Sequence, residues 1–229
     1  MALVKFASYN IHLGIGRDGM FAPHRVAAVI GELEADVIAL QEVEFGPGDF
    51  DMFSYLSTYT GYSAVPGPTM PRPGGGEYGN GLLSRHPVLG VRRIELSVAG
   101  REPRGALDVD IDCSGRRVRV VVTHLGLRPA ERRWQITRLL RYLDRNDHIP
   151  TILLGDLNEW FLWGRPLRWL RRHFQRTPAP ATFPSGRPVF ALDRVWVWPR
   201  ELLQRVAVHS TPLARVASDH LPLTAIVSA

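Results

Sequence analysis

Cysteine and long apolar runs are both scarce in this sequence. Cys113 is the single cysteine among 229 residues, so the chain cannot form an internal disulfide. Because Cys113 ends an alternation of apolar and acidic residues, we expect a structural thiol and not a nucleophile. The apolar segment 1–9 is interrupted by Lys5, lacks a small-residue cleavage site and is too short to span a membrane. The sequence therefore predicts a soluble, cytoplasmic protein.

Acidic residues are fewer than basic ones. The 22 Asp and Glu residues stand against 28 Lys and Arg residues, which gives a formal net charge of +6. A surface with this excess attracts polyanions such as nucleic acids or anionic membranes. The sequence also lacks low-complexity segments and polar linkers, and a hydrophobic share of 45% excludes a disordered chain. We therefore expect one domain over residues 1–229.

Polar side chains stand where predicted strands end. The alternating run Val4–Asn10 predicts a strand, Val37–Leu40 predicts a buried strand that leads into Glu42, and Ile152–Leu154 leads into Asp156. Sites in layered sheet proteins form at such ends, so these groups should meet at one rim. Further strands are predicted around Leu82 and over Val88–Leu96, Ala106–Cys113, Val118–His124, Leu192–Trp198, Val206–His209 and Leu221–Val227.

Helices are predicted between these strands. Apolar residues at helical spacing indicate helices that begin at Pro23 and Pro129, and two more lie over Phe50–Tyr59 and about Pro166–Phe174. The segment Pro66–Gly76 is rich in proline and glycine and predicts a loop without regular structure. Two strand-rich halves with helices outside them predict two sheets packed face to face and covered by helices.

The polar residues suit the hydrolysis of a phosphoester. That reaction needs a divalent cation, donors to the phosphoryl oxygens and a base for water. Glu42 is the best candidate ligand, because a carboxylate at a buried strand end is costly unless it binds a metal or donors. An ion-paired or exposed Glu42 is the alternative. Asp156 and Asn158 either act on water and phosphate or form an Asx turn.

The pair Asp219-His220 offers a carboxylate for a metal and an imidazole that titrates near neutral pH. Asp193 could accept a hydrogen bond from this imidazole and fix its tautomer. The polar motifs occur along the chain in the order Asn10, Gln41-Glu42, Gly79-Asn80-Gly81-Leu82-Leu83-Ser84, Thr123-His124-Leu125, Gly155-Asp156-Leu157-Asn158, Leu192-Asp193-Arg194 and Ser218-Asp219-His220. This order resembles the endonuclease/exonuclease/phosphatase superfamily over nearly the whole chain.

The resemblance implies an α/β fold, a four-layered α/β/β/α sandwich of two packed, mostly antiparallel sheets flanked by helices. It also implies a cofactor, Mg²⁺, for which Mn²⁺ could substitute. Glu42 would be the main metal ligand, and Asn10 and Asp219 would hold the metal or its waters. The site would lie at one rim of the sheets.

Catalytic roles are implied for five residues. Asp156 would position or deprotonate the attacking water, and Asn158 would contact the phosphate. His220, paired with Asp193, would act as a base or as an acid toward the phosphate, so the identity of the general base stays open. His124 would donate to a phosphoryl oxygen.

Two further residues are expected to bind substrate. Arg104 resembles a basic residue on a strand beside the site in some relatives, with a solvent-facing arginine as the alternative. Asn80 either serves the site or caps the turn before Gly81. Position 12 is His, whereas the DNA-repair branch of the family tends to carry an acidic residue there, and this difference weakens a repair assignment.

Two other patterns permit simpler interpretations. Asp108, Asp110 and Asp112 alternate with apolar residues, which predicts a half-solvated strand and not a metal cluster. Trp160–Phe174 mixes aromatic residues with four arginines. It could stack bases and neutralise phosphates, lie on an anionic membrane, or bury Leu167 while its arginines face water.

The function predicted from sequence is metal-dependent hydrolysis of a phosphodiester, with nucleic acid favoured as the substrate by the basic composition. A phospholipid or sphingolipid head-group phosphodiesterase and a small-molecule phosphatase are alternatives that would use the same centre. A non-catalytic binding domain is a third, but it would have no reason to keep the full set of acids and imidazoles. Peripheral contact with an anionic membrane is possible, and no protein partner is predicted.

Overall fold

A computed structural model describes residues 2–48, 50–143 and 149–229. Its strands and helices follow the order expected from the sequence, with an additional strand at Ser63–Pro71 and an additional short helix at Ala214–Ala217. The strands are β1 (Leu3–Asn10), β2 (Val37–Phe45), β3 (Ser63–Pro71), β4 (Glu77–Ser84), β5 (Val88–Glu95), β6 (Gly105–Cys113), β7 (Arg116–His124), β8 (Thr151–Asp156), β9 (Asp193–Trp198), β10 (Leu203–Val208) and β11 (Leu223–Ser228). The helices are α1 (Pro23–Leu33), α2 (Met52–Thr60), α3 (Pro129–Leu143), α4 (Arg165–Phe174) and α5 (Ala214–Ala217).

The strands form two sheets. One has six strands in the order β10-β11-β1-β2-β4-β3, and the other has five in the order β5-β6-β7-β8-β9. The pairs β1–β2 and β7–β8 are parallel and the remaining pairs are antiparallel. Each parallel pair is connected through a helix, α1 or α3, as parallel strands require. The predicted sandwich of two mostly antiparallel sheets flanked by helices is therefore confirmed.

Alternating side chains build the layers. Residues such as Phe6 and Val109 point from the two sheets into a common core, while Ile38 points outward against α1 and α2. Leu153 packs against the other outer layer, formed by α3 and α4. This arrangement aligns the ends of β1 and β8 at one rim. No helix in the described ranges combines the length and the hydropathy needed to cross a membrane.

The buried thiol of Cys113 fits the structural role expected of it. Its side chain lies within the core between the sheets. Burial, with a smaller contribution from the charge of Asp112, raises the pKa of the thiol to about 12. A thiol with this pKa is protonated at neutral pH and is a poor nucleophile.

The loop predicted over Pro66–Gly76 is wrong in its first half. β3 continues to Pro71, and Pro66 and Pro68 lie opposite residues 81 and 79 of β4. Proline lacks the amide hydrogen that a central strand donates on both sides, but β3 is an edge strand with one neighbour. The pairing of β3 with β4 shifts register between Pro68 and Met70. The segment forms a strand because it lies at the edge of the sheet, and local composition does not reveal that position.

The half-solvated strand predicted for Asp108 and Asp110 is also wrong, because both residues are buried. The alternation itself is present, with Val109 facing the core between the sheets. The opposite face is covered by cations: Arg92 Nε donates to Asp108 Oδ2 at 2.9 Å, and Arg92 Nη1 donates to Asp110 Oδ2 at 2.8 Å. Tyr142 of α3 donates to Asp108 Oδ2 at 3.0 Å. The acids are therefore structural anchors of the second sheet.

We expect Asp108→Ala to lower the free energy of unfolding by about 3–5 kcal/mol, because it removes the anion that lies 3.3 Å from Nε of the buried Arg119. Urea denaturation followed by circular dichroism measures this difference. Glu77→Ala, a change at an exposed acid, is the control and should shift the midpoint little. Equal effects of the two changes would contradict a structural role for the Asp108 cluster.

Candidate active site

A bulge in β2 places Glu42 at the rim of the sheets. The pairing of β2 with β4 shifts register between Leu40 and Val43, and Glu42 has a φ of 57°. The strand does not end at Glu42, as the sequence predicted, but continues to Phe45. A positive φ is unusual for a residue other than glycine and is a kind of strain that concentrates at functional sites. The bulge turns the Glu42 side chain out of the regular alternation.

Asn10, at the end of β1, connects two carboxylates. Its side-chain nitrogen lies 3.1 Å from Glu42 Oε1 and 3.2 Å from Asp156 Oδ2. Its side-chain oxygen accepts a hydrogen bond from the backbone nitrogen of His12 at 3.1 Å. Glu42 belongs to the six-stranded sheet and Asp156 to the five-stranded sheet. The amide of Asn10 therefore joins the two sheets at the rim.

Asp219 reaches the same place through Ser218. The Ser218 hydroxyl donates to the backbone oxygen of Asn10 at 2.8 Å, which holds the Asp219 segment against the end of β1. The Asp219 carboxylate is half-buried, and its Oδ1 lies 3.9 Å from His12 Nδ1. The three predicted metal-binding residues are thus connected around the end of one strand.

The oxygen atoms of Glu42 and Asp219 fit a hard divalent cation. Within the described ranges, no lysine or arginine forms an ion pair with either carboxylate, so both keep oxygens available. A second possible ligand set, Asp156, Asp193 and His220, brings ligand atoms within 4.8 Å of one another. Two of those atoms already form a short hydrogen bond, so we favour the Glu42 and Asp219 side for the metal.

Asp156 lies between two imidazoles. Its Oδ2 is 3.5 Å from His124 Nε2 and 3.7 Å from His220 Nε2, and its Oδ1 accepts from the backbone nitrogen of Asn158 at 2.8 Å. Asn158 has a φ of 49°. Gly155 precedes them with a φ of 147°, and a Cβ there would collide with the backbone of Thr123. The positive φ suits an asparagine, and the close approach to Thr123 requires a glycine, so this turn depends on both residue types.

Burial raises the pKa of Asp156 to about 6, the nearby charge of His220 opposes this rise, and Asp193 adds to it. Burial would lower the pKa of His220, but the carboxylates of Asp193 and Asp156 outweigh it and raise the value to about 10. In the metal-free protein His220 is therefore cationic at neutral pH.

Asp193 holds the imidazole of His220 on the other side. His220 Nδ1 and Asp193 Oδ2 are 2.8 Å apart, and the Thr182 hydroxyl donates to the same oxygen at 2.5 Å. Asp193 is fully buried at the start of β9. The geometry is the one expected from the sequence, in which Asp193 accepts from the imidazole and leaves Nε2 directed toward the rim.

His124 is oriented by Arg104, and this contact is not evident from the sequence. Arg104 Nη1 lies 2.9 Å from His124 Nδ1. Because a guanidinium can only donate, Nδ1 must accept, and the proton of neutral His124 lies on Nε2. Burial, followed by the charges of Arg104 and His220, holds the pKa of His124 well below its ordinary value. His124 is therefore a neutral donor that faces Asp156.

The structure brings the predicted catalytic residues together. The two predicted substrate-binding residues, Arg104 and Asn80, instead form hydrogen bonds within the protein. Arg104 is buried, with Nη2 donating to Glu102 at 3.1 Å, so the solvent-facing alternative is wrong. Asn80 donates from its side-chain nitrogen to the backbone oxygen of Gly105 at 3.1 Å. This bond links the two sheets beside Arg104. Contact of Asn80 or Arg104 with substrate stays a prediction.

Sequence analysis missed three residues that support the centre. Thr182 bonds Asp193, Ser218 bonds Asn10, and the ring of Phe183 packs 4.8 Å from that of His220. Thr182 and Phe183 lie in a proline-rich loop without periodicity. No local signal could have identified them, because their roles depend on where the loop crosses the rim. Ser218 stood within a recognised motif but was given no role of its own.

Comparisons with known proteins identify the family. Residues 7–220 match the Endonuclease/Exonuclease/phosphatase family. The chain is 31% identical over 247 aligned positions to the uncharacterized protein YbhP of Escherichia coli (strain K12), with 96% of this chain and 94% of YbhP covered.

Two solved structures illustrate the similarity of fold. The endonuclease/exonuclease/phosphatase from Beutenbergia cavernae DSM 12333 superposes with a TM-score of 0.82 at 25% identity, covering 98% of this chain and 71% of that one. The mannosyl-6-phosphatase Bt3783 of Bacteroides thetaiotaomicron VPI-5482 superposes with a TM-score of 0.75 at 17% identity, covering 98% and 100%. The second likeness concerns the fold alone.

We expect Asp193→Asn to lower the pKa of His220 from about 10 by at least about one unit, because the imidazolium loses its nearest anion. Titration of the imidazole signals by NMR in metal-free protein measures this change. His209, which pairs with Glu32 at 2.7 Å elsewhere, is the internal control, and its imidazole signals should be the same in the variant and the wild type. An unchanged His220 titration would contradict the pairing.

We also expect Arg104→Met to release the tautomer of His124, because Nδ1 loses the donor that makes it an acceptor. Ring ¹⁵N chemical shifts should show a protonated Nε2 in the wild type and a mixture in the variant, with hydrolysis slowed roughly 10- to 100-fold. Glu102→Gln keeps the Arg104–His124 contact and serves as the control. A wild-type tautomer in the methionine variant would exclude this positioning role.

Proposed function

Because the chain belongs to the endonuclease/exonuclease/phosphatase family, whose members hydrolyse phosphoesters with a metal, we propose that it is a magnesium-dependent phosphodiesterase that uses an activated water. The proposal rests on the surroundings of Asp156. Its Oδ2 lies within 3.7 Å of a nitrogen of each of two imidazoles and accepts a hydrogen bond from Asn10, which also donates to Glu42. A carboxylate surrounded in this way can act on water beside a metal-bound phosphate.

Glu42 would be the principal ligand of Mg²⁺ or of Mn²⁺ in its place. Asp219 would contribute a second carboxylate, and Asn10 would hold the metal or a water bound to it. When bound, the metal neutralises charge on the phosphoryl oxygens and on the leaving oxygen. The half-buried position of Glu42 and Asp219 keeps both near solvent, so a hydrated cation can enter.

The remaining steps fall to residues of the chain itself. Asp156, held by Asn10 and by the backbone of Asn158, would orient the attacking water and accept its proton. His220 would donate from Nε2 to the phosphoryl group, because Asp193 and Asp156 flank its ring on both sides. This assignment makes Asp156 the base.

His124 and Asn158 would complete the site as donors to phosphoryl oxygens. His124 Nε2 lies 3.0 Å from the side-chain nitrogen of Asn158. With Nδ1 facing Arg104, His124 would donate its Nε2 proton to a phosphoryl oxygen in front of the pair, and the Asn158 amide, which already donates to the backbone oxygen of Leu125 at 2.9 Å, would donate to that oxygen with its second hydrogen. A neutral donor is also an advantage here, because it can donate this hydrogen bond without first taking up a proton.

The substrate class depends on surfaces around this centre. The excess of basic residues favours nucleic acid, with its many phosphates, over a small diester with a single charge. A lipid phosphodiester would use the same carboxylates and imidazoles. Bt3783 acts, by its name, on a mannosyl 6-phosphate. A phosphomonoester is therefore included in the test.

We expect Glu42→Gln to abolish magnesium-dependent hydrolysis and to weaken Mg²⁺ binding, because the amide keeps the shape of the side chain but loses its charge. Turnover of DNA, RNA, phospholipid, a small phosphodiester and a phosphomonoester is measured beside calorimetric titration of Mg²⁺. Glu44→Gln, at an acid of the same strand that pairs with Arg72, is the matched control.

Circular dichroism should show that both variants fold. Wild-type turnover by the Glu42 variant at limiting Mg²⁺ would remove Glu42 as the principal ligand. Failure of the wild type to hydrolyse any of the five substrates with Mg²⁺ or Mn²⁺ would instead favour a non-catalytic binding domain.

A further inference from the structure

A group of exposed apolar side chains follows the active-site turn directly. The exposed fractions are 40% for Trp160, 55% for Phe161, 52% for Leu162 and 71% for Trp163. We call these four residues the apolar tip. Single exposed apolar residues are common on soluble proteins, but four in succession form a patch of the kind that marks an interaction surface.

The apolar tip is held in place by polar contacts beneath it. Buried Arg132 lies 3.3 Å from Glu159 Oε2 and donates to the backbone oxygen of Leu127 at 2.6 Å. Arg171 donates to the backbone oxygen of Leu162 at 2.7 Å. Arg132 therefore ties a second loop to the tip, and that loop presents Leu127, which is 62% exposed. A fixed apolar surface needs less ordering on binding than a mobile one.

Aromatic rings connect the apolar tip with the catalytic centre. Trp160 packs edge-on against Phe183 at 5.8 Å and against Phe190 at 4.8 Å between ring centroids. Phe183 in turn packs 4.8 Å from the ring of His220. Phe183 therefore connects the tip to the imidazole that is proposed to contact the phosphate.

The helix after the apolar tip supplies positive charge. Arg165, Arg168 and Arg172 are exposed on one face of α4, while Leu167 and Leu170 on the opposite face are buried. We call the three exposed residues the arginine face. Aromatic residues and exposed arginines side by side are typical of surfaces that enter the interface of an anionic bilayer.

We propose that the apolar tip and the arginine face dock this protein on an anionic lipid surface, so that its centre acts on a phosphodiester at the membrane interface. The choice of substrate rests on the proposed hydrolysis, whereas the docking does not. Leu162 and Leu127 favour lipid over nucleic acid, because aliphatic side chains gain from contact with hydrocarbon but offer no ring on which a base could stack.

Docking is tested by sedimentation with vesicles, using Glu42→Gln protein so that no turnover occurs. One vesicle type contains phosphatidylcholine alone, and the other contains equal parts of phosphatidylcholine and phosphatidylglycerol. The parent protein should bind the anionic vesicles preferentially. Adding Phe161→Ser with Trp163→Ser should weaken this binding at least about tenfold, since two apolar anchors are lost.

Tyr59→Ser with Leu89→Ser is the matched control, because both residues are exposed apolar residues outside the apolar tip. Replacing Arg165, Arg168 and Arg172 by Gln should reduce affinity for anionic vesicles roughly 100-fold and leave affinity for neutral ones little changed. The control for charge replaces Arg101, Arg116 and Arg205 by Gln.

Equal binding of the parent protein to both vesicle types would overturn the proposal, as would equal losses in the tip variant and its control. Binding to a single-stranded oligonucleotide is measured in parallel. Oligonucleotide binding that is lost in the tip variant, without vesicle binding by the parent, would assign the surface to nucleic acid. Because all arms use inactive protein, each result is independent of whether the hydrolysis proposal holds.

Discussion

The side-chain amide of Asn10 donates toward two carboxylates that would otherwise repel each other. Glu42 and Asp156 come from different sheets, and Asn10 lies 3.1 Å from one and 3.2 Å from the other. Its backbone oxygen accepts from Ser218, which brings the Asp219 segment to the same strand end. The side of the centre that holds Glu42 and Asp219 and the side that holds the imidazoles are therefore fixed relative to each other by one residue, which is itself buried.

The backbone around this centre departs from regular geometry. Glu42 and Asn158 both have positive φ, and Gly155 approaches Thr123 too closely for any side chain. Such conformations cost free energy and persist only when surrounding contacts determine them. Here β2 continues on both sides of Glu42, and the backbone nitrogen of Asn158 bonds Asp156. The sandwich core thus supports a strained rim.

At the centre, a positively charged imidazole lies next to negatively charged carboxylates. His220 stays cationic between two carboxylates, whereas His124 stays neutral because burial and Arg104 disfavour its charge. Two imidazoles within 4 Å of the same carboxylate therefore differ in protonation. That difference lets one donate as a cation and the other as a neutral group, and it follows from neighbours that are distant in sequence.

The sequence by itself determined most of the strands and helices, the sandwich, and the set of polar residues at strand ends. These follow from apolar periodicity and from short motifs, both of which are local and repeat along the chain. The tertiary structure alone decided that Pro66 and Pro68 lie in an edge strand and that Asp108 and Asp110 are buried by arginines. It also decided that Arg104 orients His124 and that Thr182 holds Asp193. Each of these depends on a partner brought near by folding, and local pattern carries no record of which distant side chain will cover a strand face or meet a buried donor.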